Sequence, residues 1–311
     1  MATRSLEMIS NVACMFSADG ALDEPAFTAH LQRMADANVG IFVGSPGSGE
    51  SNYLSKAEFR RTCQIAVDVG RNRVPVYSMT PELHDIDLML EFAQIAAECG
   101  VDQVQLFQLM GGHGMVPTID EQSKYWRTVL GAIDHAVAIS IHAVAGYLAP
   151  PDIVGQVCHE HPNVRTVYMY GATPKYLLEV RDATDSEIRL GVHLVRAVHD
   201  LALGATIVTG TEPNLIPKTC RALIDTYAAG NMFGLEQSAQ RIQRLGDAIA
   251  PWGKPNSRQL KMALRVLGLP GGTGGVRSPL QLPAQSELER MASALEQIGV
   301  RDWEGWPAAT S

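Results

Sequence analysis

The chain has no run of eighteen apolar residues, so it offers no candidate transmembrane helix. Its first sixteen residues, MATRSLEMISNVACMF, lack a long apolar core and a cleavage pattern, and no secretory signal is expected. The five cysteines, Cys14, Cys63, Cys99, Cys158 and Cys220, are scattered and odd in number. That usage points to reduced thiols and a cytoplasmic protein. No basic patch with interleaved aromatics occurs, and the net charge of −8 disfavours a nucleic-acid partner. A local pocket can still hold a small acid. There is no HExxH, no close Cys/His cluster and no Asp-rich pattern, so no metal site is assigned, although His113, His142, Glu50 and Glu212 come from different strands and spacing neither supports nor excludes them as ligands. His159 and His161 are two apart, but they fall at a helix end on the face that barrels use for stability. The Gly271–Gly275 run lacks the Lys-Ser/Thr of a phosphate loop. Residues 44–49 have neither dinucleotide spacing nor an acidic partner, so no cofactor is expected.

What is present is a chain of 311 residues, 46 % hydrophobic, long enough for one large core or a core with an appended piece. Its most informative stretch is residues 39–50, VGIFVGSPGSGE. Val39, Ile41, Phe42 and Val43 read as a strand apolar on both faces, hence a buried parallel strand. Gly44, Gly47 and Gly49 then free the backbone to turn and to expose N–H groups before a helix over about 55–69. A polar loop between buried strand and helix is where such folds bind an anion or small ligand; the plain alternative is an ordinary turn.

Strands are expected at 11–16, 39–43, 74–79, 103–109, 138–144, 164–170 and 205–210, with a short eighth at 232–235. Helical patterns separate them, including one capped by Asp23 and two in succession over 174–181 and 186–203. Crossovers of this length require parallel pairing. Eight such units without an internal restart favour a (β/α)₈ TIM barrel over a doubly wound sheet, two folds that compete on periodicity alone. The expected division is a barrel over 1–236 and a C-terminal helical extension over 237–311, packed on the barrel.

The run Phe16-Ser-Ala-Asp-Gly-Ala-Leu-Asp23, followed by Gly44 to Gly49-Glu50, resembles the opening of the dihydrodipicolinate synthase / N-acetylneuraminate lyase family. That family has a TPF…DG…D start and a GTTGE loop. Asp102 after Cys99-Gly100, the block 139–150, His161-Pro-Asn-Val164, Gly210-Thr-Glu212 with Pro217, and the tail from Leu267 to Leu280 resemble it too. The resemblance implies a barrel lyase or synthase that commonly forms homodimers or homotetramers. It also implies a 2-oxo acid held as a Schiff base by a strand-six lysine. Matching from His161-Pro162-Asn163 puts Tyr168 at the lysine's place. No expected strand contains a lysine, and the nearest, Lys175, lies past Gly171 and Pro174. An imine needs a poised, uncharged amine, which Tyr168 cannot supply. The family's strand-five tyrosine falls at His142, Leu109-Met110 replaces its aromatic pair, and its Thr-Thr becomes Ser45-Pro46-Gly47-Ser48.

The polar residues expected at the C-terminal strand ends are Glu50, Tyr77, Gln108, His113, His142, Tyr168, Tyr170, Thr209 and Glu212. Tyr168 and Tyr170 share one face of their strand, either the barrel interior or the helix side. His142 and Tyr168 are the candidate catalytic residues. An imidazole titrates near neutrality, and an idle one in a buried strand is costly unless a backbone carbonyl satisfies it. Ser45, Ser48, Gly49, Glu50, His113, Tyr170, Thr209 and Glu212 are candidate substrate contacts. Glu50 reads as a loop stabiliser, His113 as a loop group able to close over a ligand or an ordinary surface residue, and Glu212 as a second carboxylate or a helix-cap neighbour. The expected function is a lyase or aldolase acting on a small 2-oxo acid or related carboxylate without a Schiff-base lysine. A hydratase, dehydratase or isomerase on the same scaffold, and a non-catalytic small-molecule-binding homologue, are the rivals.

Overall fold

The computed structural model describes residues 5–81, 85–253 and 257–307. Its eight strands follow one another in chain order around a closed barrel, as expected for a (β/α)₈ fold. The alternation runs β1 (Glu7–Asn11), α1 (Glu24–Asp36), β2 (Gly40–Val43), α2 (Lys56–Gly70), β3 (Val76–Met79), α3 (Ile86–Glu98), β4 (Gln103–Phe107) and α4 (Ile119–Gly131). It continues through β5 (Val137–His142), α5 (Pro151–Glu160), β6 (Val164–Tyr170), α6 (Pro174–Ala183), β7 (Arg189–His193), α7 (Ala197–Ala202), β8 (Ile207–Gly210) and α8 (Pro217–Ala228). Four more helices follow: α9 (Met232–Ile249), α10 (Ser257–Leu267), α11 (Gln285–Ile298) and α12 (Val300–Glu304).

Local chemistry explains where the helices begin. The Asp23 carboxylate accepts the Ala26 N–H at 3.0 Å and starts α1. Ser55 and Glu58 form a reciprocal capping box at α2, and Thr118 and Glu121 form one at α4.

Three expected strands are placed differently. The first strand is Glu7–Asn11 rather than 11–16, because Ile9, Ser10 and Asn11 pair with Gly40, Ile41 and Phe42. Residues 186–203, expected to be helical, contain β7. Leu190 and Val192 there are buried in a stretch too short for its period to separate strand from helix. The strand at 207–210 is consequently the eighth, and 232–235 is no strand but the start of α9.

Contacts divide the chain into two compact units. In the unit containing Tyr77–Thr209, the strand register decides which side chains share a face. A β-carbon on Gly70 of α2 would fall 2.3 Å from Val76, so Val76 faces the helix. Alternation then turns Tyr77 and Met79 to the other face, the barrel interior. Parallel pairing carries that face across the sheet in rows. One row holds Gln105, Ala138, Thr166 and Arg189, and the next holds Phe107, Ser140, Tyr168, Gly191 and Ile207. The opposite face carries Leu106, Ile139, Ile141, Val167, Leu190 and Val208, all buried. The helix-facing side of β4 to β8 is thus largely aliphatic, and the interior side carries Gln105, Thr166, Ser140 and Tyr168.

The other unit contains Glu7–Val76 and the chain from Gly210 onward. Its C-terminal helices are fixed by directed polar bonds as well as by apolar faces. Glu304, 1 % exposed, accepts the Thr219 N–H at 2.9 Å, the Thr219 hydroxyl at 2.7 Å and the Lys218 N–H at 3.1 Å. These are first-turn donors of α8, which have no partner within their own helix. Glu304→Ala leaves the buried Thr219 N–H and hydroxyl without this acceptor. It is expected to lower the unfolding free energy by about 2 kcal/mol. Urea melts check this, and an unchanged midpoint would show that α12 does not cap α8.

Candidate active site

The interior face of the unit containing Tyr77–Thr209 ends in a row of rings. β5 finishes at His142, β6 at Tyr170 and β7 at His193, and His193 pairs with Thr209 of β8. The His142 and Tyr170 rings stack with centroids 4.2 Å apart and planes 13° from parallel. Tyr170 meets His193 edge to face at 5.3 Å, and Phe107 meets His142 edge to face at 6.1 Å. Burial and the neighbouring His193 push the His142 pKa down to about 4.

One row deeper, Tyr168 is buried, with Ser140 on one side and Gly191 on the other. A β-carbon on Gly191 would fall 2.1 Å from the Tyr168 ring. The ring therefore occupies the space that any larger residue would need. Gln108 secures the end of β5: its amide donates to the carbonyls of His142 at 3.1 Å and Tyr147 at 2.9 Å. Tyr147 in turn donates to the Leu109 carbonyl at 2.7 Å, and burial pushes its pKa up to about 12. Thr209 donates to the Val192 carbonyl at 3.5 Å. His113 is exposed, with positive φ, between Gly112 and Gly114. Among the described residues no ring contact joins it to His142.

The loop after β2 belongs to the other unit. Ser45 folds the loop on itself: its carbonyl accepts the N–H groups of Gly49 at 3.0 Å and Ser51 at 3.4 Å, and its hydroxyl accepts the Ser48 N–H at 3.4 Å. At Gly49 a β-carbon would fall 2.9 Å from the Ser45 carbonyl oxygen, so this close approach requires glycine. The Ser48 hydroxyl is buried without a hydrogen-bond partner among the described residues. Glu50, at the end of the loop, has its partners far away in the chain. Its carboxylate accepts the Lys261 ammonium at 2.5 Å and the Arg277 N–H at 2.7 Å. Both Glu50 and Lys261 are 1 % exposed. Lys261 Nζ and Arg277 Cζ lie 4.3 and 4.5 Å from the centroid of the Phe16 ring, while Arg277 also pairs with Glu58. Burial holds the Lys261 pKa below its usual value despite Glu50, and it pushes Cys14 up to about 12. Glu212 is buried at the start of a 3₁₀ turn, and one of its carboxylate oxygens has no hydrogen-bond partner among the described residues.

Sequence reasoning missed His193 because β7 was read as helix. The signal was the repeat of His142-Ala-Val144 in His193-Leu-Val195. It missed Lys261 because a lysine in an amphipathic helix reads as solvent-facing. Among the described residues no group of three or more His, Cys, Asp or Glu is placed to hold a metal, and no helix is long and apolar enough to cross a membrane.

The model of the dihydrodipicolinate synthetase family matches residues 4–298. The chain belongs to that family. Among curated relatives, "Probable 5-dehydro-4-deoxyglucarate dehydratase 2" of Streptomyces avermitilis is 25 % identical over 285 residues, spanning 90 % of this chain and 83 % of that protein. A 4-hydroxy-tetrahydrodipicolinate synthase of Agrobacterium fabrum is 26 % identical, spanning 92 % and 95 %. Among solved structures, a family protein of E. coli K12 in complex with pyruvate superposes with a TM-score of 0.84 at 19 % identity, covering 95 % of this chain and 99 % of the other. Proteus mirabilis N-acetylneuraminate lyase does so with a TM-score of 0.83 at 15 % identity, covering 95 % and 99 %. These superpositions agree with the barrel described above.

Two predictions follow from the charges. His142 is neutral in the folded protein down to about pH 4, whereas an unfolded histidine titrates near 6.5. Between those values the unfolded state binds more protons, so stability falls as pH drops through the window. Melting temperature against pH should therefore show a shallower acid limb in His142→Gln; an identical limb would assign the loss to other groups. Lys261→Met leaves Glu50 buried and uncompensated, at an expected cost of about 3–5 kcal/mol. Lys261→Met with Glu50→Gln should recover part of it in denaturant melts, and no recovery would show that the two residues are not coupled.

Proposed function

We propose that this protein is a lyase of the aldolase type, acting on a small 2-oxo acid or related carboxylate without a Schiff-base lysine. His142 and Tyr168 are its proposed catalytic residues. The observation that carries this reading is the placement of Tyr168. It lies on the interior face of β6, over Gly191, and the match from His161-Pro162-Asn163 puts it at the place of the family's lysine. Neither amine weighed against it is poised for an imine. Lys175 is exposed on α6 and paired with Glu179. Lys261 is buried but held by Glu50.

For a 4-hydroxy-2-oxo acid the electron flow needs two kinds of group. A base takes the C4 hydroxyl proton, the C3–C4 bond breaks and an aldehyde leaves. The electron pair passes to the C2 oxygen as an enolate, whose C3 then takes a proton. A neutral imidazole N–H at His142 stabilises the enolate oxygen, and the Tyr168 hydroxyl relays the proton, accepting it from the C4 hydroxyl as its own passes on to C3. Ser48, whose buried hydroxyl has no hydrogen-bond partner among the described residues, is a proposed substrate contact. His113, Tyr170, Thr209 and Glu212 remain proposed substrate contacts.

A dehydration is the second reading. It is favoured by the dehydratase name of the Streptomyces avermitilis relative. Product analysis separates the two, since aldehyde release marks the first and loss of water the second.

Borohydride added with pyruvate is expected to trap no adduct. On whichever 2-oxo acid turns over, His142→Ala and Tyr168→Phe are expected to lower kcat by about 10²-fold or more. An adduct on Lys175 or Lys261, or unimpaired turnover in both variants, would overturn the proposal.

A further inference from the structure

The imidazole of His142 sits on a turn that burial does not hold. His142 opens the 3₁₀ turn Ala143–Ala145, and between Ile141 and Ala149 no residue is buried. His193 opens a like turn, Leu194–Arg196, but that one is anchored. Leu194 is buried, and Arg196 donates to the Ala172 carbonyl and to Asp200. After His142 the exposed Ala143 stands where Leu194 stands after His193. A turn with no apolar anchor keeps its place only through its hydrogen bonds.

Gln108 supplies those bonds. It is buried, and its own N–H carries the β4 ladder one residue further, to the Ser140 carbonyl at 3.0 Å. Its side-chain amide then spans the turn, donating to the His142 carbonyl at 3.1 Å and to the Tyr147 carbonyl at 2.9 Å. Carbonyls can only accept, so the amide must turn its nitrogen toward both. Its Oε1 is left buried with no hydrogen-bond partner among the described residues. An unmatched acceptor is unfavourable, so the amide is held there by what it donates. Tyr147 closes the circuit, its hydroxyl donating to the Leu109 carbonyl at 2.7 Å. Within the turn the Val144 N–H donates to His142 Nδ1 at 3.1 Å, so a movement of the turn is a movement of the ring.

We propose that Gln108 is a positioning residue: with Tyr147 it clasps the turn after β5 and so sets the direction of the His142 ring. Its bearing on turnover rests on the lyase reading; the clasp itself does not. Gln108 acts through His142, not on the reacting atoms. The effect is large because a hydrogen bond weakens steeply as its angle opens, and a small misplacement of a catalytic group lowers the rate strongly.

Two variants test this in ¹⁵N-histidine-labelled protein. Gln108→Met keeps the length of the side chain and removes both donors. Tyr147→Phe removes only the returning bond, from a half-buried ring, and serves if the first variant does not fold. Long-range ¹H–¹⁵N spectra of each are expected to show the His142 ring signals shifted and broadened, with those of His193 moving far less. General loosening would move both alike. On a 2-oxo acid that turns over, Gln108→Met is expected to lower kcat by about tenfold or more with KM within about twofold. Tyr147→Phe should follow in the same direction with a smaller loss. His142 signals unmoved in both variants, or equal shifts at His193, would overturn the clasp. Full kcat in both variants of an enzyme that His142→Ala inactivates would overturn it too, and the lyase reading would then stand without it. If the His142 signals move as expected but no 2-oxo acid is turned over, the lyase reading fails and the clasp stands.

Discussion

Much of the interior chemistry follows from one steric fact: the Tyr168 ring fills the space a β-carbon on Gly191 would need. A flat ring laid across the neighbouring strand fixes the Tyr168 rotamer and leaves β7 able to present a larger side chain only two residues later. That side chain is His193, in the row shared with His142 and Tyr170. The parallel register does the rest, since side chains of equal parity on paired strands must share a face. Polar groups in the deeper rows, such as Gln105 and Arg189, are carried on the same face.

The second organising contact is the buried pair of Glu50 and Lys261, in the other unit. A carboxylate and an ammonium out of water are tolerable only if each is matched, because desolvation rivals the attraction between them. Here the remaining valences are used. Glu50 also accepts the Arg277 N–H, and the Phe16 ring lies within 4.5 Å of both Lys261 Nζ and Arg277 Cζ. The glycine-rich loop after β2 is thus held by residues more than two hundred positions away, and the C-terminal helices are part of what gives that loop its shape. The cap that Glu304 provides for α8 is the same device at another helix.

The resemblance to the family was legible because its motifs are short, ordered and local: an Asp-Gly turn, a Gly-rich loop ending in Glu50, and His161-Pro162-Asn163 before a strand. The strand β6 was read with its observed bounds, since a seven-residue run beginning after Asn163 has no competing helical period. The strand β7 was not, since Arg189–His193 runs into the Leu194-Val195-Arg196-Ala197 segment, and the whole stretch imitates one amphipathic helix. His193 was lost with it. Glu50 was read as accepting backbone N–H groups of its loop, whereas its partner Lys261 lies on a helix where charge and apolar residues alternate, and nothing local marks that lysine as buried.

The amino-acid sequence by itself determined the class of fold, the alternation of strands and helices as far as β6, and the absence of lysine from β6. Those properties depend on hydrophobic period, turn chemistry and residue identity, all of which act over a few positions. Only the tertiary structure decided which polar side chains share a face, that two histidines from separate strands each accept a backbone N–H at Nδ1, and that the buried ammonium belongs to Glu50. Those depend on strand register and on hydrogen bonds between residues distant in the chain, and side-chain spacing along one segment carries no record of either.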